Sequence, residues 1–184
     1  MTEISYRGAT TEELPLILAL QRQNLARAIS PAEALAQGFV TVEHDLALLT
    51  AMNCPHAHTI ATAADGLAGY ALTMTADFRD RIPVLDPLFS RLDQLEWRGH
   101  TVGDLSYVVM GQVCVAKKYR GRGVFTDLYR TMAARMGPYF EVIITEISER
   151  NTRSLRAHAK VGFADIHRYT DPQGERWVVV GWPV

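Results

Sequence analysis

The sequence is poor in the features that mark specialised chains. Its only cysteines among 184 residues are Cys54 and Cys114, too few for a disulfide framework and expected as small buried hydrophobes in a reducing compartment. Neither sign of charge dominates, since 19 Lys and Arg stand against 20 Asp and Glu. The net charge of -1 gives no bulk drive toward nucleic acid or an anionic membrane, so a bound anion must be held locally. Long apolar runs are missing as well. The stretch Met1 to Leu14 carries several acids, which argues against a signal peptide or membrane span and makes the cytoplasm the expected compartment. Repeats and low-complexity segments are absent. What remains, 48% hydrophobic and 21% charged, is the composition of one ordinary globular domain.

Local patterns predict the element order. Glu3 to Arg7 alternates like a strand, and Thr10-Thr11-Glu12-Glu13 forms a capping box that opens a helix with Leu14, Ile17, Leu18, Leu25 and Ala28 on one face. Ser30-Pro31 breaks or restarts it, and Gly38 to Thr41 forms an apolar connector. A helix over Val42 to Met52 follows. His58 to Ala64 and Leu67 to Thr75 flank Asp65-Gly66, a strong hairpin signal. The stretch 78–104, with its prolines and a modest helix at Pro87 to Trp97, reads as an insertion or lid within a single domain spanning 1–184. A strand at Leu105 to Ala116, a helix at Phe125 to Met136 and a strand at Glu141 to Ile147 form the centre. A helix over Asn151 to Lys160 follows, and a hairpin pairs Phe163 to Thr170 with Glu175 to Trp182. This order predicts an α/β fold with one mixed sheet and helices on both faces.

The turn after the central strand is where chemistry is expected. In Ala116-Lys117-Lys118-Tyr119-Arg120-Gly121-Arg122-Gly123, the glycines permit close backbone approach and four cations crowd a helix start, the usual place for an anion. The run is neither a Walker loop nor a dinucleotide fingerprint, because it lacks G-x-x-x-x-G-K-[ST] and has Thr126 where a third small residue belongs. On these residues alone, a solvated basic turn is an equal reading.

Arg120-x-x-Gly123-x-Phe125 resembles the Arg/Gln-x-x-Gly-x-Gly/Ala signature of the GCN5-related N-acetyltransferases (GNAT), with Phe125 departing at the last position. Asn151 to Phe163 is similar to a second, separate segment of that family, with His158 where tyrosine is usual. The resemblance implies an acyltransferase that moves an acetyl or short acyl group from acetyl-coenzyme A to a primary amine by direct attack. Backbone groups of Val113, Cys114 and Val115 would meet the pantetheine arm, and Arg120 with the amides of Gly121, Arg122, Gly123, Val124, Phe125 and Thr126 the pyrophosphate. Asn151 would bind further along the arm. Glu146 falls where some members carry a proposed general base. It interrupts an apolar strand, so its pKa should rise, unless it reaches solvent or pairs with an arginine. His158 stands in the proton donor's place, and the alternative is that it packs or hydrogen-bonds while Tyr107 or water donates.

Two further groups are weighed and set aside. A nucleophilic Cys114 lacks a basic neighbour, and Cys54-Pro55-His56-Ala57-His58 offers too few ligands for a metal, so no metal is expected. The amine acceptor, a small molecule or a peptide, would meet Leu25, Phe39, Tyr70, Tyr107, Phe78, Phe89 and Trp97. A homodimer is compatible with the family, with Trp177 to Val184 as candidate contact. The rival reading is an acyl-coenzyme A binding or sensing module without catalysis. A nucleotide-phosphate enzyme ranks last, because no metal-binding carboxylate motif lies near the turn.

Overall fold

The computed structural model describes residues 3–82 and 85–184. Seven strands form one sheet in the order β1 (Ser5–Gly8), β2 (Thr59–Ala63), β3 (Gly66–Met74), β6 (Tyr107–Val115), β7 (Val142–Ser148), β9 (Arg176–Pro183) and β8 (Ala164–Thr170). All neighbours run antiparallel except β6 and β7. That one parallel pair requires the crossover helix α5 (Val124–Met136). The remaining helices are α1 (Leu14–Asn24), α2 (Pro31–Gln37), α3 (Leu46–Met52), α4 (Asp86–Leu92) and α6 (Thr152–Val161).

Alternation along the strands divides the core into two layers. Tyr70, Leu72, Val109, Val142 and Ile144 pack with Leu14 and Ile17 of α1, Leu49 of α3 and Leu88 of α4. Ala71, Val108, Met110 and Ile143 face the other way, onto Tyr129 and Met132 of α5 and Phe163. The sheet thus has helices on both faces, as the element order predicts. Burying each large aliphatic side chain contributes roughly 1.5–3 kcal/mol, which holds the layers together.

Several boundaries differ for local reasons. The Thr10 box caps a single 3-10 turn at Thr11–Glu13, with the Glu13 carboxylate accepting from the Thr10 amide at 2.9 Å, and α1 then stops at Asn24 rather than reaching Ala28. Ser30 does restart a helix, accepting from the Glu33 amide at 3.1 Å. The helix expected from Val42 begins only at Leu46, because Asp45 caps it through the Leu48 amide. The stretch 78–104 does not hang off the domain: Phe78, Phe89, Leu92, Trp97 and Val102 belong to the α1-side core. Its helix ends at Leu92, and Glu96–Trp97 (β4) pairs with His100–Thr101 (β5) in a small hairpin. Strand β9 lies between β7 and β8, so the stretch from Trp177 is an interior strand and offers no free edge to a second copy.

One feature of this sheet makes a site. β6 and β7 pair only over Tyr107–Val109 and Val142–Ile144, after which each is held by its other neighbour alone. β6 also carries one more residue than β3 between Met110 and Val113, a bulge that turns its direction. The Thr145 hydroxyl, donating to the Met110 carbonyl at 2.9 Å, closes the crotch of the splay.

Candidate active site

Three cavities meet at this splay. The first, about 330 Å³, lies between the end of β6, the Arg120 to Gly123 turn, the start of α5, the connector at Gly38 to Val40, and α6. The third, about 320 Å³, lies on the α1 side of the sheet, against Leu85 and Leu88, the connector residues Thr41 to Glu43, and Trp177. A smaller one of about 70 Å³ joins them through the sheet, sharing Val113 and Asn151 with the first and Thr145 and Glu146 with the third.

The first cavity has the chemistry of a phosphate cleft. Gly121 and Gly123 take φ of +75° and +84°, a left-handed conformation that L side chains rarely adopt, and a Cβ at Gly121 would point into open space. Gly123 precedes α5 with no side-chain cap, so the amides of Val124 to Thr126 have no intrahelical acceptor and face the cleft. Arg120 is anchored by Nε on the Val115 carbonyl at 3.0 Å and by Nη2 on Asn24 Oδ1 at 2.6 Å. Its Nη1 is buried without any hydrogen-bond partner, a costly state for a cationic donor that an anionic ligand would relieve. These residues therefore fit the pyrophosphate of a coenzyme A ester.

The charge in this cleft comes partly from elsewhere than the sequence pattern indicates. Lys117 pairs with Glu33 at 3.1 Å, Lys118 with Asp65, and Arg122 lies 5.8 Å from the Tyr119 ring centroid. Of the four loop cations, only Arg120 lines the cleft. Arg153 and Lys160 of α6 line it too, and with Ala157 they share one helical face. That i, i+4, i+7 spacing was the available signal. Phe125 lines the cleft and lies edge-on to His158, centroids 5.0 Å apart. Asn151 caps α6 through the Ser154 amide at 3.1 Å and donates to the Phe39 carbonyl at 3.3 Å, tying the connector to the cleft wall.

Glu146 lines both the passage and the third cavity. Burial pushes its carboxyl up to about 7, opposed by a hydrogen bond from the Tyr169 hydroxyl to Oε2 at 2.5 Å; Asp171 raises it further and Arg91 lowers it. Arg91 stacks 4.1 Å from the Tyr169 ring centroid rather than pairing with Glu146. Tyr169 reaches this point from the outer strand β8.

His158, which also lines the passage, is enclosed by Phe125, Tyr129 and Phe163. Its Nδ1 lies 2.8 Å from the Ser154 carbonyl, an acceptor only, which places the ring proton there and leaves Nε2 to accept from the Tyr129 hydroxyl at 2.6 Å. Burial pushes its pKa down to about 4, so at neutral pH it is uncharged. The donating imidazolium expected at this position does not match that environment.

Other expected residues are placed differently. Cys114 is buried and its thiol is pushed up to about 12 by desolvation, whereas Cys54 is exposed, contrary to expectation. His56 packs against Tyr139 and Phe140, while His58 is buried, its Nε2 on the Leu49 carbonyl at 3.1 Å. Among the described residues no group of three His, Cys, Asp or Glu could hold a metal. Of the residues expected around the acceptor, only Phe39 lines any of these cavities. Leu25, Phe78, Phe89 and Trp97 are core, Tyr107 receives Arg79 at 3.3 Å, and Tyr70 donates to Gln112 at 2.6 Å. Among the described residues no helix is long and apolar enough to cross a membrane.

Comparison with known proteins gives a consistent picture. The model of the acetyltransferase (GNAT) family matches residues 37–163. No curated protein sequence matches the chain. Among solved structures, Arabidopsis thaliana NAA60 in complex with acetyl-CoA superposes with a TM-score of 0.66 at 13% identity, covering 99% of this chain and 100% of that one. An N-acetyltransferase from Staphylococcus aureus gives 0.64 at 14%, covering 98% of each. The ribosomal-protein-S18-alanine N-acetyltransferase of Escherichia coli gives 0.61 at 11%, covering 99% and 94%.

Proposed function

Since the chain belongs to the GNAT acetyltransferase family, we propose that it transfers an acetyl group from acetyl-coenzyme A to a primary amine by direct attack within a ternary complex. The observation that carries this reading is the through-sheet passage, which joins a phosphate-binding cleft to a separate cavity beside a carboxyl near neutral pKa.

Acetyl-coenzyme A supplies the activated acetyl group. Arg120 Nη1 and the amides at the start of α5 hold its phosphates, and the unpaired edge of β6 from Val113 to Val115 lies along its arm. An arriving ammonium must lose one proton before attack and a second as the C–N bond forms; one ends on the departing sulfur and the other in solvent. Glu146, half ionised near pH 7, is suited to take the first. Tyr169 fixes its Oε2 and thereby its orientation. His158 and Tyr129 act as a neutral wall that positions Phe125 and the α6 face. Capture of an acyl group by Cys114 is not part of the scheme, because a buried thiol near 12 is not a nucleophile.

The test is a melting comparison with acetyl-coenzyme A, coenzyme A and the analogue lacking the ribose 3′-phosphate. A ligand present at a hundredfold its Kd stabilises the folded state by about 2.7 kcal/mol, a clear rise in Tm. The rise should shrink in Arg120→Ala. No shift at millimolar ligand would remove the cofactor, and with it this function.

A further inference from the structure

The third cavity constrains the acceptor, and this inference rests on the functional reading above. Its walls are mostly apolar, with Val42, Leu85, Leu88, Val109 and Trp177 among them. Its two carboxyls differ in state. Glu146 sits at the inner end with its raised pKa, while Glu43 on the connector is held by Arg27 and, at 3.8 Å, by Arg22. Its remaining polar groups are the hydroxyls of Thr41 and Thr145 and the indole N–H of Trp177, of which Thr145 is already committed to Met110 and Trp177 to Asp171 at 2.8 Å.

No Lys, Arg or His lines it among the described residues. Arg91 acts on Glu146 through space, but its guanidinium is occupied by the Tyr169 ring and the Pro87 carbonyl. A carboxylate carried into this cavity beside the reacting nitrogen would therefore be desolvated without a counter-ion and would face Glu146. An apolar group at the same place would fill the space and gain burial.

We infer that the acceptor is a primary amine on an uncharged, apolar body with no carboxylate near the nitrogen. Free amino acids are excluded by the same chemistry that admits their amides. Two sources share the admitted chemistry: a free alkylamine, and the terminus of a polypeptide that begins with an apolar residue.

The experiment compares kcat/KM for leucine, leucine amide, hexylamine and Leu-Gly-Gly amide at saturating acetyl-coenzyme A, with the melting shift as a separate report of cofactor binding. At least one of the three neutral-bodied amines should exceed leucine by tenfold or more. A faster reaction with Leu-Gly-Gly amide than with hexylamine assigns the source to a polypeptide terminus, and the reverse order assigns it to a free amine. Thr41→Lys, at an exposed rim position, should narrow the amide-to-acid ratio severalfold by supplying the missing cation. Leucine acetylated as well as every one of the three neutral-bodied amines overturns the inference and leaves acetyl transfer standing. Acetyl-coenzyme A binding without transfer to any of the neutral amines also overturns it, whereas no binding at all overturns the functional reading beneath it.

Discussion

Glu146 and His158 line one narrow passage, and their surroundings move their pKa values in opposite directions, up to about 7 and down to about 4. For Glu146 the groups that matter are Tyr169, Asp171 and Arg91. The Tyr169 hydroxyl favours the ionised carboxylate, so Tyr169→Phe should move the acid limb of the pH–rate profile to higher pH, and an unmoved limb would separate Tyr169 from the base. His158 stays neutral across the assay range. His158→Gln is therefore expected to lower turnover less than about tenfold and to leave the profile's shape unchanged, as kcat measured from pH 5 to 9 would show. The sequence exposed Glu146 because a lone carboxylate interrupts a β-branched strand. Tyr169 was hidden, since its approach to Glu146 depends on the β8–β9 hairpin docking through β9 onto β7, which no local pattern encodes.

At the level of elements, the start of α5 carries most of the cofactor argument. A side chain at Gly123, with φ +84°, costs roughly 1–2 kcal/mol of backbone strain, and relief of that strain would shift the turn that presents the first amides of α5. Gly123→Ala should lower Tm by a few degrees and weaken acetyl-coenzyme A by tenfold or more in titration calorimetry. Elements with strong local chemistry were legible: the β2–β3 hairpin, although its turn falls at Ala64-Asp65 with Gly66 opening β3, the glycine turn into α5, and the Ser30 restart. The missed β4–β5 hairpin turns at Arg98-Gly99, with φ of +52° and +82°, a two-residue turn whose arginine in a left-handed conformation is an unusual choice. Helix α3 starts at Leu46 rather than Val42 because the Asp45 capping bond outweighs the apolar periodicity that reaches back to Val42.

For the whole molecule, three buried histidines make stability depend on acid. His44, His58 and His158 are all pushed down to about 4 by burial, against roughly 6.5 when unfolded. Between those values the unfolded chain binds more protons, so stability falls as pH drops from 6.5 toward 4, by roughly 2–3 kcal/mol per histidine. Glu146, raised above its unfolded value, works in the opposite direction between about 4.5 and 7, one group against three. The Tm should therefore fall steeply between pH 6.5 and 4.5, and a flat profile would contradict the buried neutral histidines. The mixed sheet and its two-faced packing followed from the succession of elements, whereas the insertion of β9 between β7 and β8 did not. The splay of β6 from β7, the third cavity and the tie from Asn151 to the connector arise from tertiary geometry, which is why only Phe39 among the expected acceptor residues reaches a cavity. If Glu146 accepts the amine's proton, that role sets the pH dependence of kcat/KM for wild type and Glu146→Gln with a neutral-bodied amine. The wild type should show an acid limb near pH 7, and the variant should be slowed at least a hundredfold and lack this limb; a variant with wild-type rate and limb would rule Glu146 out as the base.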